Sequence, residues 1–294
     1  MKSWGRIITA MVTPFTGDGE VDYKRAGQLA EHLVKNGSDA VLVCATTGEA
    51  PTLSTEEKLH LFEVVKEKIG NKPMLCGTGT NSTKATLELS KLAKERGADG
   101  LLIVTPYYNK PPQDCIVKHF QAVAEAVDLP IIAYNIPGRT GTEIKPRTLA
   151  EIASIPNVVA VKESLPHIDS ISELSHLVQD NNNFSIYSGD DSSFLPTLAV
   201  GGVGVVSVSS HVAGNLMKEM AEDFFAGKVA EATKLHLRLY PLFTGLFAVT
   251  NPILIKAALK LQGFDVGGLR MPLREASGQE VEALEKIMRQ VGIL

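Results

Sequence analysis

Several short segments of this chain carry side chains suited to carbonyl chemistry. Lys162 ends the apolar run Val158-Val159-Ala160-Val161-Lys162. Period-two alternation puts Val158, Ala160 and Lys162 on one strand face and Val159 and Val161 on the other. On a face turned into an apolar interior an amine loses hydration, which favours its neutral form. A neutral amine attacks a carbonyl carbon and forms an imine. Taken by itself, a lysine that snorkels out of the strand end, or pairs with Glu163, is the commoner arrangement.

Tyr134 ends Ile131-Ile132-Ala133-Tyr134. Its hydroxyl both donates and accepts, so it can pass protons to and from a carbinolamine. A rim aromatic with its hydroxyl in water is the plainer alternative. Thr46-Thr47-Gly48-Glu49 leaves another apolar run. Such a turn can aim amides and hydroxyls at a carboxylate, or simply cap a helix. Arg139, within Pro137-Gly138-Arg139-Thr140-Gly141, is a cation in a stiff loop suited to bidentate carboxylate binding, or an ordinary surface arginine. Asn81, Tyr107, Tyr108 and Asn135 also follow apolar runs. No metal-binding spacing is present: there is no His-Glu-x-x-His and no Cys-x-x-Cys. His119 and His211 fall in helix-like stretches and read as surface or structural groups. Asp190-Asp191 reads as a helix cap rather than a metal site.

The elements that must position these groups alternate. Apolar runs occupy 6–12, 40–45, 73–77, 100–105, 130–134, 158–162, 184–188 and 203–208. Several are continuous in Val, Ile, Leu and Ala, as in parallel strands covered on both faces. Amphipathic stretches lie between them, at 22–36, 54–69, 82–96, 113–127, 146–154, 168–179 and 191–200. The first three meet glycine at 37, 70 and 97, and Ser54 with Glu57 has capping-box spacing. Eight strand signals alternating with helices predict an α/β fold, a (β/α)8 TIM barrel, whose active sites lie at the C-terminal strand ends. An open doubly wound sheet would favour a dinucleotide fingerprint. The nearest match, Gly77-Thr78-Gly79-Thr80-Asn81-Ser82, lacks its third small position. Beyond residue 210 only helices are expected, at 215–226, 229–247, 252–262 and 278–291. The first would close the barrel. Residues 1–225 are thus expected to form the catalytic barrel and 226–294 a C-terminal helical extension.

A net charge of −4, with basic residues dispersed, gives no reason to expect a nucleic acid or an anionic membrane as partner. No apolar run approaches the ~20 residues of a membrane span. The opening MKSWGRIITAMVTPF is broken by Pro14 and is not expected to be a signal peptide. Cys44, Cys76 and Cys115 are an odd number with wide gaps, which points to a reducing, cytoplasmic setting. Cys44 and Cys76 read as core filler.

In combination and in order, Thr46-Thr47-Gly48-Glu49, Tyr107-Tyr108-Asn109, Tyr134-Asn135-Ile136-Pro137-Gly138-Arg139-Thr140-Gly141 and Val161-Lys162-Glu163 resemble the pyruvate-dependent class I aldolase/lyase superfamily. The resemblance covers essentially the whole chain. It implies that Lys162 forms a Schiff base with pyruvate, with no other cofactor and no metal. It implies that Thr46, Thr47 and their amides hold the pyruvate carboxylate, and that Gly189 and Val206 line its pocket. Tyr134, Thr46 and Tyr108 would form a proton relay, with Tyr108 coming from a neighbouring subunit of a homotetramer. Arg139 would bind the carboxylate of L-aspartate 4-semialdehyde. That favours the branch that condenses this aldehyde with pyruvate on the diaminopimelate route to lysine. N-acetylneuraminate lyases and 2-keto-3-deoxy-sugar-acid aldolases are the alternative branches; they generally lack this arginine. Asn81 and Tyr107 match a lysine effector site of some members. There Thr55, Lys58 and Ala85 replace the histidines and glutamate of inhibited members, so weak or absent lysine inhibition is expected.

Overall fold

The computed structural model describes residues 4–165 and 167–294; the first three residues of the opening read above lie outside the described part. Every apolar run of the sequence forms a strand, and each strand leads into a helical segment. The order is β1 (Ile7–Ala10), α1 (Tyr23–Lys35), β2 (Ala40–Val43), α2 (Thr55–Lys68), β3 (Met74–Gly77) and α3 (Thr83–Glu95). Then come β4 (Gly100–Val104), α4 (Gln113–Ala126), β5 (Ile131–Asn135), α5 (Pro137–Thr140), α6 (Pro146–Ile152), β6 (Val158–Glu163) and α7 (Ile168–Val178). The remainder is β7 (Ser185–Ser188), α8 (Phe194–Ala199), β8 (Gly204–Ser207), α9 (Ser210–Phe225), α10 (Val229–Gly245), α11 (Ile253–Leu261) and α12 (Gly278–Gln290). The eight parallel strands pair in chain order, and β8 returns to β1 to close the barrel.

Alternation along the strands sorts two cores. Ile8, Leu42, Leu75, Leu102, Ile132 and Val206 fill the barrel interior. Their neighbours Ile7, Val41, Met74, Leu101, Ile131 and Val205 pack outward into the layer under the helices. Leucine, isoleucine and valine inside make the barrel a filled core rather than a pore. Trp4 and Tyr187 belong to the inner core, where the Tyr187 hydroxyl donates to the Gly5 carbonyl (3.1 Å).

One face assignment differs from the sequence expectation. The pairing of β5 with β6 slips between Ile131 and Ile132, so that Ile131 faces Val158 but Ile132 faces Ala160. This irregularity turns Val158 to the outer core, while Ala160 stays inside. Simple alternation fails across a bulge because the extra residue resets the phase. Past it Tyr134 stands beside Lys162 in register.

Helix α9 starts at Ser210, five residues ahead of the expected 215, and Gly214 lies inside it. The helix passes through it with a kink at Ala213 (φ −135°). A glycine is required there: a Cβ would lie 2.2 Å from the Asn36 carbonyl oxygen. The helix expected at 191–200 is a 3-10 turn, Asp191–Ser193, followed by α8. The capping box at the start of α2 is present, with the Glu57 amide donating to Ser54 Oγ and the Ser54 amide to Glu57 Oε2. After α9 the chain forms the three helices α10, α11 and α12, which pack on one another and on α9. No helix among the described residues is long and apolar enough to cross a membrane.

Candidate active site

Lys162, on β6, is 5% exposed. Its Nζ lies 4.1 Å from the centroid of the Tyr134 ring on β5. Among the described residues no carboxylate pairs with it. Its neighbour Glu163 faces the other side of the strand. There Asn135 Nδ2 donates to its Oε2 (3.0 Å) and the Leu165 amide to its Oε1 (3.0 Å). Burial pushes the Glu163 carboxyl up to about 8, against the lowering influence of the Asn135 and Leu165 hydrogen bonds. Burial thus favours the protonated form of Glu163 and weakens the charge it puts behind the lysine.

Asn135 links this strand end to the arginine loop. Its Oδ1 accepts from the Ile144 amide (2.9 Å), and its Nδ2 donates to the Ile144 carbonyl (3.1 Å). Between these anchors the chain makes the single turn α5, with Thr140 Oγ1 within hydrogen-bond reach of the carbonyls of Thr142 (2.8 Å) and Ile136 (3.1 Å), to one of which it donates. Arg139 projects from that turn, exposed on its outer side and lining a cavity on its inner side. The cavity, about 440 Å³, is walled by Cys44, Thr46, Lys58, Tyr107, Tyr134 and Arg139 among others. It has a cation at Arg139 and another at Lys58, and no acidic side chain lines it. Burial holds the Cys44 thiol at about 12, so it adds no negative charge.

The turn after β2 is closed by the amides of Gly48 and Ala50 on the Ala45 carbonyl and of Glu49 on the Thr46 carbonyl. The Thr46 and Thr47 amides are not among the donors of that turn. Thr46 reaches the cavity, whereas Thr47 is buried behind it, its Oγ1 accepting from Asn251 Nδ2 (2.9 Å). Glu49, in the left-handed region (φ 54°), sends its carboxylate away from the site to Lys256 on α11 (2.7 Å). It also accepts from the Arg270 amide.

Gly189 follows β7 and Val206 lies on β8, and neither is among the residues that wall this cavity. A Cβ at Gly189 would lie 1.9 Å from Ser164 Oγ and 3.0 Å from the Glu163 carbonyl oxygen, so only glycine lets the two strand exits approach. Val206 is buried in the inner core. Asp191 does not cap its own turn. Its Oδ2 accepts from the amides of Val208 and Ser209 and from Ser209 Oγ, tying β7 to β8. The Asp190 carboxyl is raised by burial, an effect opposed by the nearby Lys162 cation.

Tyr108 is not brought to this site within its own chain. It stands on a loop tip, 88% exposed, with a left-handed backbone (φ 74°), while the adjacent Tyr107 lines the cavity. The Asn81 carbonyl accepts from Asn109 Nδ2, so the two loops meet beside Tyr107. His211 and His119 are interior and not surface groups. The Val12 amide donates to His211 Nε2, and burial lowers both rings to about 4. Cys44 and Cys76 are buried and free. No group of acidic, histidine or cysteine side chains among the described residues could hold a metal. Sequence patterns do not single out Asn251, Lys256 or Arg270. They lie more than 200 residues from the turn they contact, and no local pattern marks such a contact.

A closed parallel barrel with a buried lysine beside a tyrosine at the C-terminal strand ends defines a lyase of the Schiff-base class. The Dihydrodipicolinate synthetase family matches residues 3–291, and the chain belongs to that family. It is 52% identical to the 4-hydroxy-tetrahydrodipicolinate synthase of Heliobacterium modesticaldum, over 99% of this chain and 96% of that one. The enzyme of the same name from Symbiobacterium thermophilum is 50% identical over the full length of both chains. Among solved structures, the Cyanidioschyzon merolae enzyme with lysine bound superposes with a TM-score of 0.96 at 44% identity, covering 99% of each chain. The Thermotoga maritima enzyme gives 0.96 at 42%, covering 99% of this chain and 100% of that one.

Proposed function

We infer that this chain condenses pyruvate with L-aspartate 4-semialdehyde to give 4-hydroxy-tetrahydrodipicolinate, the first committed step of the diaminopimelate route to lysine. The observation that carries the reading is the Lys162 amine, buried over the Tyr134 ring and, among the described residues, without an ion-pair partner. The amine attacks C2 of pyruvate and expels water. The resulting iminium withdraws electrons, so a methyl proton leaves and an enamine forms. The enamine carbon then bonds to the aldehyde carbon. The amino group of the semialdehyde displaces Lys162 from the imine carbon, closing the ring and freeing the enzyme. No dissociable cofactor takes part.

The surrounding groups supply orientation and proton transfer. Thr46 and Thr47, through hydroxyls and amides, hold the pyruvate carboxylate, with Gly189 and Val206 shaping the space beside it. Tyr134 moves the proton of the carbinolamine, with Thr46 and a neighbouring subunit's Tyr108 as the path to solvent. An exposed tyrosine at a fixed loop tip suits that delivery, and a cytoplasmic homotetramer is the assembly it fits. Arg139 binds the carboxylate of the semialdehyde at the cavity mouth. Asn81 and Tyr107 form an effector position at which Lys58, which also lines the cavity, repels a cationic amino acid. Lysine at low concentration is therefore expected to leave the steady-state rate nearly unchanged, and full inhibition would contradict this.

The test of the aldehyde is direct. Turnover is followed with pyruvate and, in turn, L-aspartate 4-semialdehyde or polyol aldehydes. Turnover confined to the semialdehyde supports the reading; turnover confined to polyol aldehydes moves the chain to the sugar-acid branches.

A further inference from the structure

The turn that carries Thr46 and Thr47 is not held by the barrel alone. Asn251, buried in the segment between α10 and α11, donates through Nδ2 to Thr47 Oγ1 at 2.9 Å. Further along, on α11, Lys256 pairs with Glu49 at 2.7 Å, both side chains nearly inaccessible. The Lys256 amine also donates to the Gly268 carbonyl (2.7 Å). The Arg270 amide donates to the second Glu49 oxygen (3.1 Å), and its guanidinium grips Glu57 at the start of α2. The segment after α10 therefore braces both ends of the turn, at Thr47 and at Glu49.

The polarity of the first contact matters for chemistry. A threonine hydroxyl has one hydrogen and two lone pairs. Because Asn251 donates, it occupies a lone pair of Thr47 and leaves the hydroxyl hydrogen free to donate elsewhere. We propose that Asn251 is a positioning residue that fixes the Thr47 hydroxyl as a donor toward the pyruvate carboxylate. The proposal rests on the reading that Thr47 holds that carboxylate.

Three variants separate the outcomes, each checked for folding by circular dichroism and thermal melting. Thr47→Val tests the underlying reading: an unchanged KM for pyruvate overturns it, and the proposal with it. Asn251→Ala removes the brace and is expected to raise the KM for pyruvate about tenfold, with a smaller change in kcat. Asn251→Asp is nearly isosteric but accepts instead of donating. It would draw the Thr47 hydrogen to itself and place a negative charge behind the carboxylate site. Its expected KM for pyruvate is about a hundredfold above that of the unmodified enzyme, worse than the alanine variant, and it should fall as pH is lowered. A raised KM in Thr47→Val together with an Asn251→Asp that binds pyruvate as well as, or better than, Asn251→Ala would overturn the assignment to Asn251 while leaving Thr47 in place.

Discussion

Two buried lysines stand at the same end of this barrel and have opposite surroundings. Lys256 is 3% exposed, ion-paired to Glu49 and bonded to the Gly268 carbonyl. Lys162 is 5% exposed and, among the described residues, has no ion-pair partner, only the face of the Tyr134 ring. A buried cation needs a partner to offset its lost hydration. The first lysine has one and braces the fold. The second lacks one in a place where its nitrogen lies over the Tyr134 ring, an arrangement that suits an imine-forming amine.

Exchanging the two roles by mutation should expose the difference. Lys162→Met is expected to lower turnover on the order of 10⁴-fold or more while leaving the melting temperature unchanged or higher, because an unpaired buried cation is removed. Activity assay and thermal melting together check this; a large loss of stability would contradict the comparison. Lys256→Met should do the reverse. It strands Glu49 in the interior and costs about 3–5 kcal/mol in chemical denaturation, with imine formation retained in the folded fraction. Replacing Glu49 as well, as Glu49→Leu in the same chain, should recover much of that loss.

Tyr134→Phe sharpens the comparison at Lys162. It keeps the ring beside Nζ and removes the hydroxyl, so kcat should fall about 10²–10³-fold with a smaller change in pyruvate binding, measured by steady-state kinetics. Glu163 gives a distinct signature, in the pH dependence of stability and not in turnover. Its folded-state value, about 8, lies above the unfolded value. Between the two values the native state holds a proton that the unfolded state has lost. The contribution is therefore fully present below about pH 4.5 and is lost as pH rises through 8. The unfolding free energy from chemical denaturation should decline from pH 5 to pH 8 on this account, and Glu163→Gln should flatten that decline.

The fold is legible because continuous Val, Ile and Leu runs and glycine-stopped helices are local signals. Lys162, Tyr134, Arg139 and Thr46 are legible for the same reason: each closes or follows a strand, where barrel chemistry gathers. The face of Val158 is not, since a bulge leaves no mark in a short apolar run. The first turn of α9 is not legible, since the non-helical Ala213 separates it from the rest of the helix, and Gly214 beside it serves a close backbone approach. Asn251, Lys256 and Arg270 are invisible because their partners lie most of the chain's length away.

The central claim concerns the Lys162 nitrogen, and borohydride trapping tests it most directly. The protein is reduced in the presence of pyruvate, digested and mapped by mass spectrometry. A pyruvate-derived adduct on the peptide containing Lys162, absent without pyruvate, is the expected result. Adducts confined to other lysines, or no adduct under conditions that support turnover, would contradict the account.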